Sequence, residues 1–163
     1  MTVYSGTYTP TRPDAAKFAF RDPLADAREK LRAAARLPFH ASKPNSWQQA
    51  FRQLAVDARA DIRRHVWLGS LPDSTLNRVE LEEPRLSHQV GLQRSEHELF
   101  AENIDDLVAA ATEPGEVDIW HMIELGERAI LLEMALARHH NRLSQMITRP
   151  RIPMWVSLAN CVR

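Results

Sequence analysis

The sequence predicts an all-α fold, an up-and-down four-helix bundle of three long helices and one shorter N-terminal helix. Three observations predict it. The prolines leave four long Pro-free windows, 24–37, 45–71, 85–113 and 115–149, and helices fit best where no proline removes a hydrogen bond. Apolar residues within the long windows recur at steps of three and four, which is the helical period. Start signals stand near the heads of the windows, and no run alternates apolar and polar residues as a strand would.

The first window is headed by Asp22-Pro23, an N-cap followed by a proline at the first helical position. It predicts a short helix over 22–36, either a fourth bundle member or a brace across one end. In the second window Ser46-Trp47-Gln48-Gln49 reads as a capping box. Trp47, Phe51, Leu54, Ala58, Ile62 and His65 mark its inner face. Glu83-Pro84 is expected to open the third window as Asp22-Pro23 opens the first. Its inner face is Leu86, Val90, Gln93, His97, Phe100, Ile104 and Leu107. The fourth window carries Glu116 and Asp118 at its head, where the helix dipole favours negative charge. Leu132, Leu136, His139, Leu143 and Met146 line one face, with Ile123, Ile130 and Met134 expected to broaden that apolar surface.

Gly69 and Gly115 sit where helices are expected to stop. The connector 69–83 is long for a bundle and has room for a helical turn around Asp73–Asn77. Gly91 and Gly126 fall inside predicted helices, where each costs about 1 kcal/mol relative to alanine. Either a neighbour approaches closely there or the imperfection is tolerated. The domain is expected over 22–148, with an extended arm at 1–21 and a tail at 149–163 whose apolar run, 152–158, either packs back or docks a partner.

Lys+Arg and Asp+Glu both number 21, so the basic excess of a nucleic-acid binder is absent. One cysteine, Cys161, excludes an internal disulfide and a Cys-rich zinc site. The polar N-terminus does not read as a secretory signal, and no stretch reaches the roughly 20 apolar residues of a membrane span. A cytoplasmic protein with no nucleic-acid and no membrane partner is expected. No complete acid, base and nucleophile set is visible.

Chemistry points to the histidines. His65, His97 and His139 lie on the predicted inner faces of three different helices, and bundle cores build metal sites from side chains projecting inward in this way. Neutral imidazole suits iron, zinc, copper or nickel. His40, His88 and His121 read as surface or helix-edge residues.

The stretch PRLSHQVGLQRSEHELFAENIDDL from Pro84, with its Glu96-His97 pair, resembles the third helix of hemerythrin-like (HHE cation-binding) proteins. IELGERAILLEMALARHHNRLSQMI resembles their last helix through His139 or His140, and VDARADIRRHVW supplies His65 as their second helix would. The resemblance covers roughly residues 46–148. It implies a metal site, with iron an oxygen or redox sensing or storage role, in which His65, His97 and His139 are ligands and His140 and Glu102 stand in reserve. That family pairs each histidine with a carboxylate four residues on, a spacing that puts both on one helix face. Here those positions are Gly69, Ala101, Leu143 and Ser144. Glu102, five residues past His97, points about 140° away in a regular helix. A competing expectation follows: an interaction or regulatory module that has lost its metal, associating with a protein partner or a second copy through an exposed helix face or residues 152–158.

Overall fold

A computed structural model describes residues 22–38, 43–113 and 118–148. The N-terminal arm, Gly115, Glu116, His40, the apolar run 152–158 and Cys161 lie outside the described residues. Within them the chain forms α1 (Pro23–Ala35), α2 (Pro44–Ser70), α3 (Thr75–Glu82), α4 (Ser87–Ala110) and α5 (Ile119–Thr148), with a 3-10 turn at Pro84–Leu86. No strand occurs among the described residues, so the all-helical expectation holds. No helix among them is long and apolar enough to cross a membrane.

The helix starts follow local chemistry, though not always at the expected residue. The Asp22 carboxylate accepts from the Leu24 N–H at 3.0 Å with Pro23 at the first helical position. Asp118 Oδ1 accepts from the His121 N–H at 2.7 Å. At α2 the capping box at Ser46 does not form. Pro44 opens the helix after Lys43 instead, and the Ser46 hydroxyl donates to the Lys43 carbonyl. A proline at the first helical position lacks an N–H that would have gone unpaired in any case. Glu83 caps nothing with its side chain; it closes α3, and Pro84 begins the 3-10 turn before α4. The turn expected near Asp73–Asn77 is a full short helix, capped by the Ser74 hydroxyl accepting from the Asn77 N–H.

α1 is a full member of the core. Leu24, Ala27, Leu31 and Ala34 join Phe51, Ala55, Ala58 and Ile62 of α2, Phe100, Ile104 and Leu107 of α4, and Leu125, Ala129 and Leu136 of α5 in one cluster. Each fully buried large apolar side chain contributes roughly 1.5–3 kcal/mol. α1 packs on α2 and α5, and α4 packs on the same two helices. Cross-helix polar contacts add register. Lys30 of α1 pairs with Asp61 of α2, Arg63 of α2 pairs with Asp105 of α4 at 2.7 Å, and Arg28 and Arg32 of α1 converge on the buried Glu133 of α5 at 2.9 and 2.6 Å. Asp61 is thus a cross-helix tie.

The expected inner face of α4 is buried at every position, from Leu86 through Gln93 to Leu107. On α5 the expectation needs correction. Met122, Leu125 and Ala129 continue the buried face, while Ile123, Ile130 and Met134 are close to half exposed. These three, with Ile119, belong to a separate stripe, because at 100° per residue they fall on the side of the helix away from Leu125 and Leu136. A second small cluster, Leu76, Val90 and Met146, lies under α3. His97 and His139 sit between the two clusters along α4 and α5.

Candidate metal centre

The three inward histidines meet. His139 Nε2 lies 3.3 Å from His65 Nε2 and 3.2 Å from His97 Nε2. One potential ligand atom from each residue falls within 4.8 Å of the other two, and this is the only such group of three or more candidate ligands among the described residues. His139 is fully buried, His97 nearly so, and His65 is half-buried near the end of α2. Phe100 stands edge-on to the His139 ring, with centroids 5.2 Å apart.

The three rings arrive from separate helices because each occupies an inward slot of its own apolar repeat. The room they share comes from Gly69. A Cβ at that position would fall 2.6 Å from His97 Cε1 and 3.1 Å from its Nδ1. Gly69 does not stop α2, which runs on to Ser70. The position where a hemerythrin-like pattern puts a carboxylate is therefore occupied by the His97 ring. At Gly91 and Gly126 an added methyl group would meet no neighbour among the described residues within 4 Å, so neither marks a close approach there.

Glu96 is the residue that sequence reasoning leaves out of the ligand set. Its Oε2 lies 2.9 Å from His139 Nδ1, and its other oxygen is held by Arg142. Burial works to raise the Glu96 carboxyl, but the hydrogen bonds from Arg142 and His139 outweigh it and hold the group below its ordinary value. As a carboxylate it only accepts, so His139 donates from Nδ1 and turns the Nε2 lone pair inward. A histidine oriented through its far nitrogen by a carboxylate is the usual support for a metal ligand. Nothing in the sequence places Glu96 against α5, since the contact spans 43 residues.

Burial is the main cause that lowers His65 to about 4, helped by His139 and opposed by Asp22. Burial likewise lowers His97 to about 3, with His65 and His139 adding to it. His139 is also lowered, burial outweighing its bond to Glu96. All three rings are therefore neutral near pH 7, the form that ligates metal.

The reserve ligands are not brought in. His140 is turned toward Asp22, Nδ1 to Oδ2 3.3 Å, and neither it nor Glu102, exposed on α4, belongs to the converging group. Three neutral nitrogen donors with no carboxylate among them fit one borderline dication. They do not fit a carboxylate-bridged metal pair. A cleft of about 490 Å³ between α4 and α5 runs beside the centre, walled by Gln93, Glu96, Leu99, Arg142 and Met146 among others. The buried Gln93 Oε1 has no hydrogen-bond partner among the described residues.

No family model matches the sequence, and neither the curated proteins nor the solved structures contain a match to it.

Proposed function

We propose that this chain is a small cytoplasmic metal-binding module, an up-and-down four-helix bundle of the hemerythrin-like kind, holding one divalent ion on His65, His97 and His139. The convergence of three neutral ring nitrogens from α2, α4 and α5 carries this conclusion. A neutral imidazole offers one N–H and one lone pair, and the single inward lone pair of His139 faces two rings at once. A cation accepts all three lone pairs together.

Iron, with oxygen or redox sensing or storage, is what the resemblance adds to this. The addition calls for bridging carboxylates that the converging group lacks, so the conclusion stops at metal binding. Elemental analysis of untagged protein, purified without chelator, tests it. About one equivalent of a transition metal is expected, and it should be lost in His97→Ala. A fully folded protein that takes up no metal from any first-row dication sinks the proposal.

One observation favours a second reading, an interaction module. Ile119, Trp120, Ile123, Ile130, Leu131 and Met134 of α5 are all exposed, and apolar patches of this kind often mark association surfaces. Light scattering of the wild type and of Ile130→Glu decides it. A monomer in both cases removes the support for a second copy on this face.

A further inference from the structure

The nitrogen spacing carries more than the presence of an ion. We infer that His65, His97 and His139 form a mononuclear, four-coordinate site of the zinc class, with one position left to a non-protein ligand, in place of the carboxylate-bridged iron pair that the resemblance implies. This inference rests on the metal-binding conclusion above.

The separations are the first observation. A four-coordinate ion with bonds to nitrogen of about 2.0–2.1 Å holds those nitrogens about 3.3–3.4 Å apart. Octahedral neighbours at the same bond length stand about 2.8–3.0 Å apart. His139 Nε2 stands 3.2 Å from His97 Nε2 and 3.3 Å from His65 Nε2, two separations nearer the tetrahedral than the octahedral edge, and one ligand atom of each ring lies within 4.8 Å of the others. The donor set is the second. Among the described residues no carboxylate joins the three rings, and Glu96 is engaged outside the ring of ligands by His139 and Arg142. None of the described carboxylates is placed to bridge a second ion. Gly69 is the third, because the His97 ring fills the space that a side chain at position 69 would need. Three protein nitrogens around a four-coordinate ion leave one vertex unfilled, the arrangement of zinc sites that exchange a small ligand.

Cobalt(II) alone, added to the metal-free full-length chain, is the probe. Four-coordinate cobalt absorbs strongly in the visible, whereas six-coordinate cobalt absorbs far more weakly. One equivalent bound with an intense spectrum is expected. The spectrum should shift on adding azide, vanish in His65→Ala and persist in His88→Ala. Zinc should displace the cobalt, and ferrous iron at equal concentration should not. A weak six-coordinate spectrum, or two ions per chain, overturns this inference and leaves the metal-binding conclusion standing. An intense spectrum indifferent to azide overturns the open position. No cobalt uptake by folded protein overturns this inference, and no uptake of zinc, copper, nickel or iron either overturns both. Circular dichroism of His65→Ala separates loss of a ligand from loss of the fold.

Discussion

Gly69 and His97 share one space: a methyl group at 69 would lie 2.6 Å from His97 Cε1, closer than two carbon atoms can pack. The glycine sits in the last turn of α2, where alanine would be the better helix former by about 1 kcal/mol. Gly69→Ala is nevertheless expected to destabilise the protein, by about 1–3 kcal/mol as overpacked cores do. It should also displace His97 and weaken metal binding at least tenfold. Urea melts and a chelator-competition titration check both effects. A more stable Gly69→Ala protein with unchanged metal affinity would falsify the close approach.

Gly91→Ala and Gly126→Ala should do the opposite. Both glycines are helical, and among the described residues nothing lies within 4 Å of where a Cβ would go. Each substitution is expected to add about 0.5–1 kcal/mol of stability and to leave metal affinity alone. A loss of stability on urea titration would show a contact that the geometry does not contain.

Glu96 orients His139 without belonging to the ligand group. Glu96→Ala is expected to lower metal affinity about 10–100-fold, the usual cost of losing such a partner. Glu96→Gln keeps an acceptor oxygen but not the charge, and should fall between the wild type and Glu96→Ala. Equal affinities for all three proteins, measured by chelator competition, would remove Glu96 from the site.

The buried histidines predict how the metal-free protein responds to acid. An unfolded histidine titrates near 6.5, while burial holds His65 near 4 and His97 near 3. Below about pH 6.5 the unfolded chain therefore binds protons that the native chain does not, and stability rises with pH through that window. The slope is up to about 1.4 kcal/mol per pH unit for each ring, and it flattens above about pH 7. Urea midpoints in the presence of chelator should drop between pH 7.5 and pH 5. Midpoints unchanged over that interval would mean that the rings are not buried neutral.

The inward repeat of α4 is legible residue by residue, because a helix buried along one face writes its period directly into the chain. The three converging histidines are legible for the same reason, each being a polar member of an apolar series. The outward stripe of α5 is not, since Ile123 and Ile130 look like core residues until the position of α1 and α4 around the helix is known. Gly69 reads as a stop signal because sequence alone does not distinguish a glycine that ends a helix from one that admits a neighbouring ring. Glu96 is visible beside His97, but its action on His139 depends on how α4 and α5 meet. Ser46 has the capping pattern, and the proline two residues earlier sets the helix start.

The ligands of the proposed centre are far apart along the chain, His65 lying 74 residues and His97 lying 42 residues from His139. An unfolded chain cannot hold all three on one ion without closing two large loops, and that closure is entropically costly. An ion bound here is accordingly a removable cross-link, joining α2, α4 and α5 as a disulfide would in a chain that has a single cysteine. Its worth grows with the logarithm of free metal concentration over the dissociation constant, so the persistence of the fold itself becomes a readout of how much metal the surroundings supply.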